Sequence, residues 1–307
     1  MFQTATARVC RRLTVTVSAA LMAVCLAPAA IVGQKTAELR RFAGGIFEAS
    51  GVVHVPGTSG VLFADDNRTR EIFWMEIGPD GTARAPATVA LTEAIEDPEG
   101  LTSDGSHFYI VGSQSKGDGP AGAGLARFTF DHGGLRVERL ETIPRLKAWL
   151  VEHVPEFEGL DAGSASDEFN IEGLAWDPAG TRLLLGFRRP LVDGQALIVP
   201  IALRAPQGAF TAANLRVDGR ALRVALDGGG IRSLDYDPEA KTFLILSETP
   251  RDAGAFRLLA WRADTPDLRT LATFANSLQP EGVTRFSAGG VGGLFVVFDT
   301  SRYTLIR

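Results

Sequence analysis

Residues 169–178 read Phe169-Asn170-Ile171-Glu172-Gly173-Leu174-Ala175-Trp176-Asp177-Pro178, and the chain restates this segment four more times. The other copies are Pro98-Glu99-Gly100-Leu101, Pro280-Glu281-Gly282-Val283, the longer Ile231-Arg232-Ser233-Leu234-Asp235-Tyr236-Asp237-Pro238 and the looser Glu48-Ala49-Ser50-Gly51-Val52. If Glu48, Glu99, Glu172, Arg232 and Glu281 are equivalent, the copies are 51, 73, 60 and 49 residues apart. β-rich sequence follows each copy, and a repeat of this length is typical of a propeller blade. The sequence therefore predicts an all-β fold, a five-bladed β-propeller.

The last repeat is short, because the chain ends after three strand-like segments. An alternating segment at residues 36–42, around Leu39, can supply the missing fourth strand and close the ring. Six blades are the alternative, if residues 204–230 hold a degenerate blade.

Residues 1–30 have the pattern of a cleaved signal peptide, which predicts an exported protein, periplasmic or extracellular. The pattern consists of Arg8, Arg11 and Arg12, the apolar run Leu13 to Leu26 and the small residues Ala27-Pro28-Ala29. Residues 31–307 are then a single propeller domain, and no later run of about 20 apolar residues predicts a membrane span.

Composition narrows the partners of this domain. Both cysteines, Cys10 and Cys25, precede residue 31, so the mature protein has no disulfide and no cysteine metal site. Loss of three arginines with the leader moves the formal charge from -5 to -8. An acidic surface disfavours nucleic acid. We expect a monomer whose partner is a small molecule or a cell-envelope ligand at the channel mouth.

An insertion at residues 144–170 interrupts the repeats. Leu146, Trp149, Leu150 and Val154 recur at helical spacing behind Pro144, which predicts a short helix. An acidic stretch, residues 158–168, follows it. The insertion either lies over the face where ligands enter a propeller or simply packs an apolar stripe on a blade edge.

A polar ring is expected where each first strand begins and each second strand ends, because antiparallel neighbours bring these points together. The predicted pairs are Glu48 with Asp65, Glu99 with Gln114, Glu172 with Arg188, Arg232 with Glu248, and Glu281 with Asp299. Basic residues follow in the adjoining loops at Arg68, Lys116, Arg189, Arg251 and Arg302.

The third and fourth blades each pair an acid with an arginine, with the signs exchanged. One interpretation is structural: Glu172–Arg188 and Arg232–Glu248 neutralise buried charges and hold the inner strands in register. The other makes these four residues catalytic. In that case Arg188, Arg189, Glu99 and Gln114 would bind the substrate, since guanidinium groups match phosphate and carboxylate.

The first and fifth blades instead place like charges together. Glu48, Asp65, Asp66, Glu281 and Asp299 should crowd one another, which raises carboxyl pKa values or recruits a cation. An oxygen-only ligand set favours calcium, which tolerates irregular geometry better than magnesium. The alternative is that Arg68 and Arg302 neutralise the acids.

Two segments carry a resemblance to a known family. Residues 169–174 followed by Leu183 to Leu191, and Glu48 to Val52 with Phe63 to Asn67, resemble the family catalogued as domain of unknown function 3616. That resemblance implies a bacterial propeller-like domain and no known reaction. The Glu-Gly-Leu repeats are also similar to those of phytase-like esterases, which implies calcium and a phosphorylated or ester substrate. Arg232 departs from the acidic pattern.

Two functions follow as hypotheses. The first is a metal-assisted hydrolase acting on a phosphate or carboxylic ester. The second is a non-catalytic binding propeller in the cell envelope, in which the ring is structural. Scattered histidines and the absence of a Gly-x-Ser-x-Gly elbow give no support to a serine hydrolase.

Overall fold

The computed structural model describes residues 38–117, 123–249, 255–263, 265 and 267–307, which form five antiparallel sheets. The predicted signal peptide at residues 1–30 lies outside the described residues, and so do Thr36, Ala37 and Arg251.

The strands, in chain order, are β1 (Arg40–Arg41), β2 (Ala49–His54), β3 (Gly60–Asp65), β4 (Glu71–Glu76), β5 (Ala87–Ala90), β6 (Pro98–Ser103), β7 (Phe108–Gly112), β8 (Ala123–Asp131), β9 (Arg136–Pro144), β10 (Asn170–Asp177), β11 (Arg182–Arg189), β12 (Ala196–Leu203), β13 (Leu215–Val217), β14 (Leu222–Val224), β15 (Ile231–Asp237), β16 (Thr242–Glu248), β17 (Ala255–Trp261), β18 (Leu268–Ala275), β19 (Pro280–Ala288), β20 (Val291–Phe298) and β21 (Arg302–Ile306). One α-helix, α1 (Leu146–His153), and short 3-10 turns at Pro155–Phe157, Ala212–Asn214 and Asn276–Leu278 complete the described part. None of its helices combines the length and apolarity that crossing a bilayer requires.

The five sheets are the five predicted blades. They consist of β2–β5, β6–β9, β10–β14, β15–β18, and β19–β21 with β1. The first strands β2, β6, β10, β15 and β19 contact one another in a closed ring around the centre. These inner strands are almost entirely buried, whereas the outer strands β5 and β9 are partly exposed, as expected when only inner strands have neighbours on both faces. The five-bladed propeller is confirmed.

Residues 204–230 do not form a sixth blade. They contain two short strands that both pair with β12, β13 with its end and β14 with its beginning. Together these strands occupy the outer position of the third blade, so this blade has its fourth strand in two pieces.

The predicted closure by an N-terminal strand is also confirmed. In β1, Arg40 pairs with Tyr303 and Arg41 with Arg302, which makes β1 the outer strand of the last blade. The next residue, Phe42, is buried and stacks on Phe63 of the first blade with ring centroids 5.1 Å apart. One short segment therefore joins the last blade to the first.

Close packing of the inner strands explains the glycine that recurs in the repeats. A Cβ added to Gly282 would lie 2.2 Å from the carbonyl oxygen of Ser50, and one added to Gly51 would lie 2.5 Å from that of Glu99. In both cases the obstructing atom belongs to the first strand of the next blade. The repeat therefore keeps a glycine where two first strands come closest.

The helical insertion packs an apolar stripe against a blade, which is one of the two predicted arrangements. Leu146 and Leu150 of α1 are fully buried, and Phe157 packs against Phe169 and Phe187 of the third blade. The acidic stretch after it is held at the channel mouth, because the backbone N–H of Ser166 donates to the carbonyl oxygen of Ser115 at 2.6 Å. The apolar stripe and the position over the mouth are thus both present.

Candidate functional site

A β-bulge places one residue of each first strand towards the channel. In the second blade Pro98 pairs with Gly112 and Gly100 with Val111, which leaves Glu99 as the extra residue between them. Bulges of this kind redirect a side chain and are frequent beside functional sites. The same interruption occurs at Glu172, Arg232 and Glu281.

In the first blade the bulge does not contain Glu48, which was predicted to be equivalent to Glu99. Ala49 pairs with Asp65 and Val52 with Phe63, so the bulge contains Ser50 and Gly51. Ser50, which precedes the crowded glycine, takes the place of Glu99, and Glu48 lies two residues earlier. The prediction that Glu48 is the equivalent of Glu99 is wrong, because an acid–glycine spacing does not show where the bulge falls.

The partners at the ends of the second strands shift for the same reason. The register aligns Asp65 with Gly112, so the residues that match Arg188, Glu248 and Asp299 are Asp66 and Ser113. The predicted pairing of Glu99 with Gln114 is therefore wrong.

Asp65 and Gln114 instead bind the backbone. The Asp65 carboxylate accepts hydrogen bonds from the backbone N–H groups of Glu48 at 3.2 Å and Asn67 at 3.1 Å. The Gln114 side-chain amide donates to the carbonyl oxygens of Gly112 at 3.0 Å and Gly124 at 3.4 Å. Both side chains are buried and shape their turns, so the geometry gives no support to Asp65 as a metal ligand or Gln114 as a substrate ligand.

A chain of ion pairs crosses the third, fourth and fifth blades. Arg188 lies 3.0 Å from Glu172, as predicted, and also 3.1 Å from Glu248. Arg232 lies 3.0 Å from Glu172 and pairs with Glu281. The predicted pair of Arg232 with Glu248 is wrong, because the inner residues of adjacent first strands meet across blades. Glu281 is consequently neutralised by an arginine and does not join the acidic cluster.

Three buried polar atoms in this chain of ion pairs lack a hydrogen bond within the described residues. They are Asn170 Oδ1, Glu172 Oε2 and Arg232 Nε. The last two atoms are in contact as an ion pair at 3.0 Å, but they are not aligned as a hydrogen bond. An unsatisfied buried polar atom costs about 1–3 kcal/mol, so a donor would stabilise the two oxygens and an acceptor would stabilise the Arg232 N–H group.

Glu99 is the inner-ring acid without a cationic partner among the described residues. Burial raises the pKa of Glu99 well above its usual range, and the charges of Glu172 and Asp97 raise it further, while Arg232 opposes them. These effects favour the protonated form of the Glu99 carboxyl group.

The acidic cluster, which we define as Glu48, Asp66 and Asp299, lies between the first and fifth blades. The amide nitrogen of Asn67 donates to Glu48 Oε2 at 2.6 Å and to Asp66 Oδ1 at 2.9 Å, so these two carboxylates share one donor. Burial raises the pKa of Asp66 to about 7, helped by the charges of Glu48 and Asp299. Burial and Glu48 also raise the pKa of Asp299. The predicted crowding is confirmed for these three residues.

No ion pair neutralises the acidic cluster within the described part of the chain. Arg68, the predicted partner, instead binds Glu71 at 3.2 Å. Arg302 makes no ion pair with the cluster among those residues and lies in the closing sheet beside Arg41. Arg68 therefore makes no ion pair with the acidic cluster, although its charge lowers the pKa of the neighbouring Asp65 against the effect of burial.

Asp97 is a site residue that the sequence did not single out. It accepts hydrogen bonds from Ser113 and from Ser115, the latter at 3.3 Å, and its carboxylate lies 3.2 Å from the ammonium of Lys116. Asp97 stands two residues before Glu99, as Asn170 stands before Glu172. A recurring polar residue at this offset was the signal that could have identified both.

The raised pKa values predict how stability depends on pH. A carboxyl group whose folded pKa exceeds its unfolded value contributes stability below about pH 4, and this is lost as pH rises through the folded pKa. For Asp66 that pKa is about 7. We therefore expect Asp66 to lower the free energy of unfolding as the pH rises from about 4 to 7, and Asp66→Asn to reduce that fall by about 1–2 kcal/mol, discounted for partial exposure.

Chemical denaturation of the chelator-treated protein at several pH values measures this slope. Asp235, whose pKa burial also raises to about 7, adds a slope common to both proteins, so the comparison isolates Asp66. Identical slopes for wild type and Asp66→Asn would contradict the prediction.

Comparisons with known proteins identify a family. The model of the family described as "Protein of unknown function (DUF3616)" matches residues 135–302. No curated protein matches the chain. Similar solved structures include the glutaminyl cyclase of Myxococcus xanthus (14% identity, 88% of this chain and 94% of that chain, TM-score 0.46). A Trichoderma reesei enzyme of carbohydrate-active family AA12 (11%, 88% and 95%, 0.47) and a Xanthomonas campestris gluconolactonase (11%, 89% and 90%, 0.43) are also similar. At these identities the likeness concerns the fold alone.

Proposed function

The chain belongs to the family described as protein of unknown function DUF3616, and we propose that it is a cation-dependent hydrolase of a small carboxylic or phosphate ester. One observation carries the proposal: Glu48 and Asp66 share a single amide donor beside Asp299, with no cationic partner in the described part of the chain. Carboxylates arranged in this way either retain a proton or bind a cation.

The donor chemistry of the acidic cluster fits calcium, because every candidate ligand is an oxygen. Within the described residues no group of three or more His, Cys, Asp or Glu side chains is already at metal-binding distances. Binding therefore requires the Asn67 amide nitrogen to turn away from Glu48 and Asp66, and Asp66 to lose its proton. Calcium bound there would supply a Lewis acid and lower the pKa of a water molecule.

Arg188 and Arg189, at the end of the second strand of the third blade, can orient an anionic substrate. Their side chains are about one-third exposed, 35% and 32%, although each is held by Glu248. Arg188 Nη2 and Arg189 Nε make no hydrogen bond to the described residues. Guanidinium N–H groups that are fixed on one side and open on the other suit phosphate or carboxylate oxygens.

The other ring residues divide into a proton donor and positioning residues. The raised pKa of Glu99 favours its protonated form, which could protonate a leaving group. Glu172, Arg232 and Glu248 neutralise their neighbours and fix the arginines, which supports a positioning role rather than direct participation in the reaction.

Hydrolysis assays test this proposal. Small carboxylic and phosphate esters should be hydrolysed in the presence of calcium and not in excess chelator. Glu99→Gln should lower kcat at least about 100-fold, as expected for loss of general acid catalysis, and remove one limb of the pH–rate profile. Asp193→Asn is the control, because this exposed aspartate lies away from the channel and pairs with Arg223.

Absence of turnover of both ester classes, with and without calcium, would contradict the hydrolase. The binding propeller would then be favoured, with the acidic stretch at residues 158–168 as the first segment to delete in capture experiments.

A further inference from the structure

A cavity lies between the second and third blades. It is at the opposite end of the first strands from the acidic cluster. Asp104, which follows the last residue of β6, and Thr181, in the turn between β10 and β11, both line it. Its volume is about 380 Å³, within the range of small-molecule sites. We propose that this cavity binds a neutral polyhydroxylated ring, a monosaccharide or one unit of a short oligosaccharide.

Aromatic side chains form one wall of this inter-blade cavity. The rings of Tyr109 and Trp176 are nearly parallel, with an interplanar angle of 5° and centroids 6.0 Å apart. Phe210 lies 6.0 Å from Tyr109 and comes from the connection between β12 and β13. Trp176 is only half-buried, whereas Tyr109 and Phe210 are buried. A partly exposed indole in a concave wall provides an apolar platform for the C–H face of a sugar ring.

The charged groups around the cavity are already paired within the protein. Arg127 binds Glu141 through two nitrogens at 3.0 and 2.7 Å. Arg182 lies 2.9 Å from Asp177 and 3.2 Å from Asp218. Each of these guanidinium charges is therefore already neutralised by a carboxylate.

The Asp104 carboxylate likewise accepts hydrogen bonds from groups of the protein itself. Its carboxylate accepts hydrogen bonds from the Tyr109 hydroxyl at 2.8 Å and from the backbone N–H groups of Ser106 and His107 at 2.7 and 2.6 Å. Burial alone would raise the pKa of Asp104, but these N–H groups lower it, so the group stays ionised. With Arg216 paired to Asp218, four carboxylates face three guanidiniums, and no positive excess selects an anion.

Polar groups at the cavity remain available. The Thr181 hydroxyl, the Gln207 side-chain amide and His107 Nε2 make no hydrogen bond to the described residues, and all three residues line the cavity. The hydroxyl and the amide can each donate and accept, which suits sugar hydroxyl groups that also do both. An apolar platform facing such donors and acceptors favours a neutral polyol over an ion or a purely apolar ligand.

Titration with neutral sugars tests the inference. The probes are D-glucose, D-galactose, N-acetyl-D-glucosamine and cellobiose, with D-glucuronate as the charged comparison, followed by ligand-observed NMR and tryptophan fluorescence. We expect at least one neutral probe to bind with a Kd of about 1 mM or tighter and to bind more tightly than glucuronate. His107→Ala and Gln207→Ala should each weaken binding about fivefold, as expected for one lost hydrogen bond.

Trp176→Leu should abolish binding, and Tyr236→Leu is its matched control, because Tyr236 occupies the same position in the fourth blade. If Trp176→Leu does not fold, the two polar variants carry the test. The inference is overturned if no neutral probe binds below about 10 mM, if glucuronate binds best, or if binding survives both polar variants unchanged.

Discussion

Replacing Arg232 with methionine is expected to lower the free energy of unfolding by about 3–5 kcal/mol at pH 7, the largest effect of any channel residue. The Arg232 side chain is 10% exposed and lies between the carboxylates of Glu172 and Glu281, which are 3% and 9% exposed. Its removal leaves Glu281 without an ion-pair partner among the described residues and Glu172 with Arg188 alone, next to Glu99, which already lacks a cation. Those acids must then take up protons or remain charged in a poorly solvated site.

Denaturant unfolding at pH 7 and pH 5 measures this loss. The loss of unfolding free energy should be smaller at pH 5, because the carboxylates that have lost Arg232 are more easily protonated there. Arg232→Lys should recover part of the stability. Arg223→Met, which breaks an exposed pair with Asp193, should change it by less than about 1 kcal/mol. Equal losses in Arg232→Met and Arg223→Met would contradict the account of the ion-pair chain.

Replacing Phe42 with alanine should cost about 3–5 kcal/mol, as expected for removal of a buried phenylalanine. Phe42 is 7% exposed and lies between blades, with its ring 5.1 Å from Phe63 and 5.6 Å from Tyr303. The loss should be large because the residue packs the closing strand of the last blade against the first.

Ile46→Ala is the matched control for this closure. Ile46 belongs to the same connecting segment but is 83% exposed, so its loss should be within about 0.5 kcal/mol. Thermal or denaturant unfolding of the two variants provides the comparison. A Phe42→Ala variant as stable as Ile46→Ala would show that closure does not depend on this contact.

The blade count and the closure could be predicted because they depend on features that repeat along the chain. Each Glu-Gly-Leu copy marks a first strand, since the glycine is needed where adjacent first strands touch, as Gly51 and Gly282 show. The three-strand final repeat likewise left one sheet open for the segment around Leu39.

Side-chain placement in the ring could not be predicted to the residue. A bulge shifts the register by one, and nothing in Glu48-Ala49-Ser50-Gly51 shows that Ser50 rather than Glu48 occupies the inner ring. Because of the same shift, Asp66 rather than Asp65 occupies the position at the end of the second strand that faces the inner ring. Arg232 and Glu281 are ion-pair partners from different blades. The sequence of a single repeat does not show which residues of the next blade it will contact.

The inter-blade cavity could not be predicted from the sequence for a different reason. Its aromatic wall joins Tyr109, Trp176 and Phe210 from three separate segments, and only the packing of the second blade against the third brings them together. Trp176 and Tyr236 occupy equivalent positions in their repeats, so the repeat pattern gave no indication of the site.

The most direct test of the proposed function is calorimetric titration of the chelator-treated protein with calcium near pH 7. The account predicts one ion per chain, with release of about half a proton per ion because Asp66, whose pKa is about 7, must ionise fully, and no binding to Asp66→Asn. Calcium at 100 times the Kd should then raise the free energy of unfolding by about 2.7 kcal/mol. Absence of binding heat and of stabilisation, or equal binding by wild type and Asp66→Asn, would contradict the cation site.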